Sequence, residues 1–284
     1  MFRLKLNGTD VFYDRFTFPG GEEHVKIKHA GIPFTKIQEV DITAHVKSSS
    51  DLVELALLVN AIRGLNNVGR WTEFNLQIPY FPYARQDRRC DFGEPLSGCW
   101  ASEFINSMGF DEVMVKDPHS AVIRNTVKNI RVIEQDTIVR DYLGWFIRGN
   151  SAVLVSPDAG AAKKVEALSL SMGGQEMIYG HKNRDLKTGE ITSMSIDNPV
   201  LIKDRHLVVV DDICDGGRTF VELGKILKAH EPKSLTLFVT HGIFSKGLSV
   251  FDGLYDAVYA DTVWWNNITA DGLPFTTANK GRVK

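Results

Sequence analysis

The stretch LVVVDDICDGGRTF, residues 207–220, joins an apolar, β-branched run to two carboxylates and a pair of glycines. A run of this kind reads as a strand buried on both faces of a parallel sheet. The segment that follows, VELGKILKAH, puts Val221, Leu223, Ile226 and Leu227 on one helical face, so the glycines sit where a strand turns into a helix. Glycines there let backbone amides converge on an anion at the helix N-terminus, and Asp211 and Asp212 are placed to accept hydrogen bonds from sugar hydroxyls or to hold a metal. A Gly-rich turn can also serve packing alone; the acidic pair is what points to a ligand.

The same grammar recurs along the chain. WTEFNLQIPYFPYARQDRR at 71–89, DEVMVKDPHS at 111–120 and SAVLVSPDAGAAKKV at 151–165 each end an apolar strand in a polar, Pro-containing loop. Helices are predicted over Ser50–Arg63, Leu96–Met108, Val139–Ile147, Ala161–Ser171 and Thr219–Ala229. Strands alternating with helices mean an α/β fold, whose ligand loops lie at the carboxyl ends of the strands. Breaks fall at 129–136 and 148–151, and Gly149-Asn150 is the better turn signal. It divides the chain into an N-terminal domain, 1–148, and a C-terminal domain, 149–284, whose strand-and-loop patterns suggest that the two are related.

Composition narrows the partners. With 284 residues, 43% of them hydrophobic, the chain can bury real cores without staples. A net charge of −2 and a pI near 6.5 give no global basic bias, so nucleic acid is not an expected partner. No stretch approaches the ~18 uninterrupted apolar residues of a membrane span, and the start, MFRLKLNGTDVFYDRF, alternates like a strand, so no membrane partner and no targeting segment are expected. Cys90, Cys99 and Cys214 form no metal-ligand spacing, and their odd number suits a reducing, cytoplasmic setting.

Seven loops in order carry a resemblance. FPGGE at 18–22, YFPYARQDRR at 80–89, DPHS at 117–120, VSPDAGAAKK at 155–164, HKNRD at 181–185, VVVDDICDGGRT at 208–219 and THGIFS at 240–245 resemble the landmarks of the ribose-phosphate pyrophosphokinases, the PRPP synthetases. The resemblance runs over roughly residues 16–262. It implies two related type I phosphoribosyltransferase-like, Rossmann-like domains with mainly parallel sheets, in a homo-oligomer whose ATP site is shared between subunits. The implied reaction moves the β,γ-diphosphoryl group of Mg-ATP to the anomeric hydroxyl of ribose 5-phosphate, giving PRPP and AMP, with Mg²⁺ as cofactor.

Site residues follow from the same resemblance. Lys182 and Arg184 match the catalytic-loop cations, and their polar segment, YGHKNRDLKTGEITS, suits a closing flap, although it also reads as an exposed hairpin turn. Arg85, Gln86 and Asp87 match the ATP-binding loop, and Phe18 and Glu22 the element that a neighbouring subunit lends to adenine. His119 resembles the residue at the ATP phosphates and metal, and Asp158 the carboxylate near the metal and the anomeric hydroxyl. Asp211, Asp212, Asp215, Gly216, Gly217, Arg218 and Thr219 would bind the ribose and its phosphate.

Departures from the family pattern bear on substrate and regulation. Gly20 replaces a common Asn or Asp, and DFGEPLSG at 91–98 lacks the Ser-Arg-Ala-Pro run of the regulated enzymes. Residues 215–219 read Asp-Gly-Gly-Arg-Thr in place of the usual Asp-Thr-Gly-Gly-Thr. Gly216 thus removes a hydroxyl and opens space, while Arg218 adds a charge that could meet a second phosphate. Trp264 and Trp265 follow the strand-like AVYADT and could stack a base or pack in the core. ADP-ribose is therefore the alternative substrate to ribose 5-phosphate. Two alternatives of another class stand beside these: a phosphoribosyltransferase, which would use the 211–219 loop without PYARQD, DPHS or the flap, and a non-catalytic regulatory homologue.

Overall fold

Elements β1 (Arg3–Leu6) and β2 (Thr9–Val11) open the chain in a computed structural model that describes residues 2–184 and 191–264. They are joined by Asn7 and Gly8, both at positive φ (49° and 76°), the pair of left-handed residues a two-residue hairpin turn requires. Next come β3 (Tyr13–Thr17), β4 (Glu23–Ile27), β5 (Ile37–Thr43), α1 (Ser49–Arg63), β6 (Val68–Gln77), α2 (Ser97–Ser107), β7 (Glu112–Lys116), α3 (Ala121–Thr126) and β8 (Ile130–Ile133). Contacts divide the chain into two units, Met1–Ile133 and Glu134–Lys284. The first unit is built on a six-stranded sheet of order β2-β1-β5-β6-β7-β8, parallel from β5 to β8, while β3 and β4 form a separate two-stranded sheet.

Helix α1 begins with a capping box: Ser48 Oγ accepts from the Asp51 amide at 3.3 Å, and Asp51 Oδ2 accepts from the Ser48 amide at 2.9 Å. Leu52, Leu55, Leu58, Val59 and Ile62 recur at helical spacing and are all buried in one cluster with Val40, Ile42 and Leu76 of the sheet.

The second unit runs α4 (Gln135–Gly149), β9 (Val153–Ser156), α5 (Ala162–Ser171), β10 (Met177–Arg184), β11 (Ile191–Ile196), β12 (His206–Cys214), α6 (Arg218–Lys228), β13 (Ser234–Gly242) and β14 (Ala257–Val263). Its sheet has the order β11-β10-β9-β12-β13-β14, parallel except for β11 at the edge. The fold class is α/β with mainly parallel sheets, as the alternation of strands and helices indicates. The turn at Gly149-Asn150 exists, but it connects α4 to β9 inside the second unit. Helix α4 goes with that unit because Tyr142 packs on Phe238 at 5.7 Å and its hydroxyl meets Asp261 Oδ1 at 3.2 Å.

Two further differences from the sequence reading have local causes. Helix α3 was not anticipated, since its six residues are too few to show a period. In α6 the buried stripe is Phe220, Leu223, Gly224 and Leu227, with Val221 and Ile226 only half-buried. Gly224 sets that shift: a Cβ there would come within 2.9 Å of the Tyr255 ring, so the ring lies directly on the helix. The Tyr255 hydroxyl donates to the Phe220 carbonyl at 2.7 Å in a fully buried position. Tyr255→Phe is expected to cost about 1 kcal/mol, the net worth of one such bond, read as a lower midpoint in urea with an unchanged slope.

Candidate active site

In the second sheet the chain order reverses between β9 and β12, which makes the carboxyl ends of these two strands a topological switch point. Strand β12 pairs with β9 only over Leu207–Val209, but with β13 through Cys214. Past Val209, one edge of β12 therefore faces the loop that leaves β9, and Asp211 and Asp212 lie on this extension. The loop contributes Asp158, whose Oδ1 accepts from the amides of Gly160 (2.8 Å) and Ala161 (3.2 Å) and whose Oδ2 pairs with Lys182 Nζ. Lys164, in the first turn of α5, reaches Asp212 Oδ2 at 3.1 Å. Burial, then the charges of Asp212 and Asp158, push the Asp211 carboxyl well above the usual carboxylate range.

Lys182 reaches Asp158 because of how β10 is built. From Met177 to Tyr179 it pairs in parallel with β9; from Gly180 onward it pairs antiparallel with β11. At the changeover a Cβ on Gly180 would lie 2.5 Å from the Pro157 carbonyl oxygen, so the strand passes hard against the Asp158 loop. The described parts of the flap segment thus form an antiparallel pair of strands at the sheet edge. Arg184 ends β10 at a register shift opposite Ile191, and 185–190 lie outside the described residues.

Asp215, Gly216 and Gly217 lead from β12 into α6, which Arg218 and Thr219 begin. Gly217 holds φ 76°, and a Cβ on it would sit 2.8 Å from the Phe251 ring, so no other residue fits without displacement. The loop after β13 laces onto this turn: the amides of Ile243 and Phe244 donate to the Cys214 carbonyl (2.8 and 3.1 Å), and Ser245 Oγ donates to Asp215 Oδ1 at 2.6 Å. The space expected from Gly216 is not left open. The stem of Lys246 fills it, with Cδ and Cε 3.6 Å from where a Cβ would be. Burial, with Asp211 and Asp215 nearby, pushes the Cys214 thiol up to about 12, which keeps it protonated and inert. Trp264 is half-buried at the carboxyl end of β14, its amide donating to the Gly242 carbonyl at 3.0 Å; Trp265 lies outside the described residues.

The first unit has its own loops at the carboxyl edge of its sheet. Parallel neighbours β6 and β7 carry them side by side, through the bonds Ile78 N–H to Met114 O (2.9 Å) and Lys116 N–H to Pro79 O (3.0 Å). In the first, Tyr83 is left-handed, its hydroxyl shares a 2.7 Å hydrogen bond with Ser49 Oγ, and its ring stands edge-on to Trp100 at 5.5 Å. That anchor holds the loop while Arg85 and Gln86 stay exposed and Asp87 half-exposed. The second loop presents His119 at the surface. Phe18 and Glu22 lie on the turn of the separate β3–β4 hairpin, where Phe18, 45% exposed, packs with Phe16 and His24 at 5.1 and 5.5 Å.

Lys164, Ser245 and Lys246 were not singled out from sequence, although the first lies in the quoted PDAGAAKK and the second in THGIFS. Among the described residues no group of three or more His, Cys, Asp and Glu side chains converges as a metal cage, and no helix is long and apolar enough to cross a membrane.

Comparison with known proteins agrees with this geometry. The phosphoribosyl transferase domain family matches residues 127–256. A ribose-phosphate pyrophosphokinase of Caulobacter vibrioides is 27% identical over 225 residues, 78% of this chain and 69% of that protein. Ribose-phosphate pyrophosphokinase 2 of Archaeoglobus fulgidus is 28% identical over 250 residues, 87% of this chain and 82% of that protein. In fold, the chain is similar to the crystal structure of phosphoribosylpyrophosphate synthetase from Mycobacterium smegmatis, with a TM-score of 0.74 at 20% identity over 90% of this chain and 81% of that one. Two phosphoribosyltransferase-like units, with the seven loops in order along them, and the relatives matched support the ribose-phosphate pyrophosphokinase family for this chain.

Proposed function

We propose that this protein is a ribose-phosphate diphosphokinase, transferring the β,γ-diphosphoryl group of ATP to the anomeric hydroxyl of ribose 5-phosphate. The observation that carries this reading is the gathering of Asp158, Lys182, Lys164, Asp211 and Asp212 at a switch point, beside a Gly-rich turn that opens a helix. Backbone amides at Gly216–Thr219 suit the 5′-phosphate, and Asp211 and Asp212 suit the ribose hydroxyls. In the reaction the anomeric oxygen forms a bond to the β-phosphorus, the bond from that phosphorus to the bridging oxygen breaks, AMP leaves with the electron pair, and the hydroxyl proton passes to solvent. Charge grows on the bridging oxygen, which is where Lys182 and Arg184 act.

The oxygen-only donor set at the switch point fits Mg²⁺, which takes one or two carboxylates and completes its shell with phosphates and water. Asp158 would help to hold it at the switch point, and when bound it neutralises charge on the transferred group; His119, on its own loop of the first unit, resembles the family's residue at the ATP phosphates. Arg85, Gln86 and Asp87 would bind the nucleotide, with Phe18 and Glu22 offered by a neighbouring subunit of a homo-oligomer. Ribose 5-phosphate stands ahead of ADP-ribose, since the relatives matched are named for ribose phosphate. The test is to incubate the protein with Mg²⁺, ATP and either ribose 5-phosphate or ADP-ribose and to follow AMP. AMP formed only with ribose 5-phosphate supports the reading; a higher kcat/KM with ADP-ribose moves the substrate, and no AMP with either removes the reaction.

A further inference from the structure

Strands β3 and β4 hydrogen-bond to each other and, among the described residues, to no strand of the six-stranded sheet. Val25 and Ile27 bury against the apolar core, a contact that is non-directional and would let the hairpin rock. A charged cluster beside it supplies direction. Arg15, in β3, donates from Nε to Glu23 Oε2 (3.2 Å), from Nη1 to Asp51 Oδ1 (2.8 Å) and Glu54 Oε2 (2.6 Å), and from Nη2 to Ser50 Oγ. Ser50 Oγ in turn donates to Glu23 Oε1 at 2.7 Å, closing a ring across the two strands and α1. Glu54 is fully buried, and its Oε1 accepts from the Tyr13 hydroxyl at 2.5 Å, which itself accepts from the Phe2 amide at 2.6 Å.

One guanidinium therefore ties both hairpin strands to the capping box of α1, whose Asp51 also takes the Lys47 and Ser48 amides. A planar fork of donors is the side chain that meets three carboxylates and a hydroxyl at once; an ammonium is not. Hydrogen bonds from Ser50 and Arg15 hold Glu23 below the usual carboxylate range, so Glu23 stays charged at neutral pH. Arg15 lies next to Phe16 and on the same strand that leads to Phe18.

We infer that Arg15 is a positioning residue for nucleotide binding, fixing the angle at which the hairpin tip presents Phe18 and Glu22. This rests on the proposed function, in which that tip contacts the adenine of ATP. The test measures KM for ATP and kcat for the wild type, Arg15→Gln, Arg15→Lys, Phe18→Ala and the Arg15→Gln/Phe18→Ala double variant, with hydrogen exchange over residues 13–27. Arg15→Gln raises KM for ATP about tenfold and leaves kcat at saturating ATP within about threefold, and Arg15→Lys recovers only part of the loss. On the Phe18→Ala background the same change adds little, because the ring it positions is gone. The hairpin amides exchange faster in Arg15→Gln while the six-stranded sheet keeps its protection.

Should Arg15→Gln fail to fold, Ser50→Ala removes one strut and leaves each carboxylate its Arg15 bond, and it raises KM about threefold by the same logic. An unchanged KM in a folded variant, or an equal proportional loss with and without Phe18, overturns the inference while wild-type turnover leaves the proposed function standing. Absence of AMP formation in the wild type overturns both.

Discussion

Lys182→Ala lowers kcat by about 10² or more and leaves the fold intact, the scale of losing one charge donor to a transition state. The variant removes the only described partner of Asp158 Oδ2 and the cation that the β10–β11 hairpin carries to the switch point. Some stability is expected to be lost as well, because the two side chains are only 20% and 18% exposed and Asp158 Oδ2 is left without its cation. Saturating both substrates isolates kcat from binding, and thermal unfolding checks the fold. Lys182→Arg should restore part of the rate, since charge is kept and geometry is not. Arg184→Ala is expected to lose a comparable factor. Turnover within about threefold of wild type in Lys182→Ala would remove that lysine from the mechanism.

Gly180→Ala is expected to damage both stability and rate. The new methyl would sit 2.5 Å from the Pro157 carbonyl oxygen, 2.9 Å from its carbon and 3.0 Å from the Ser156 carbonyl oxygen, all of them backbone atoms that no rotamer change moves away. Either β10 shifts from β9 or the Asp158 loop is displaced. Overpacking of this kind costs about 1–3 kcal/mol, and a displacement near 1 Å between Asp158 and Lys182 costs up to about 10² in kcat/KM for the ribose substrate. The two losses separate experimentally, because urea unfolding reads the first and activity at low temperature, where the variant stays folded, reads the second. A variant with wild-type kcat/KM would show that the switch point tolerates a wider gap between the strands.

Residues 207–220 were legible because each of their signals is local: a β-branched run, a Gly-rich turn, then a helical period. The same holds for Gly149-Asn150 as a turn, but its place inside the second unit depends on what Tyr142 packs against, which no local pattern encodes. Lys164 shows the limit most clearly. Its partner Asp212 is distant in sequence, and the pair exists only through the register of β9 against β12. Lys246 escaped notice for a similar reason, since its stem reaches Gly216 through the fold-back of the loop after β13. Alternation in residues 13–27 says strand but not with which partner, so the separate β3–β4 sheet and the Arg15 cluster were out of reach of sequence reading.

The strands of the two six-stranded sheets do not interleave along the chain: one sheet is complete by β8, and the other begins only at β9. On a ribosome, residues up to Ile133 would already contain every partner the first sheet uses, including β1, which waits only for β5. The first unit can therefore close its hydrogen bonds before the second is synthesised, which shortens the time its apolar β5–β8 edges stay exposed to other nascent chains. Vectorial synthesis and sheet order run in the same direction, so a released product truncated near Ile133 would carry every strand partner of the first sheet.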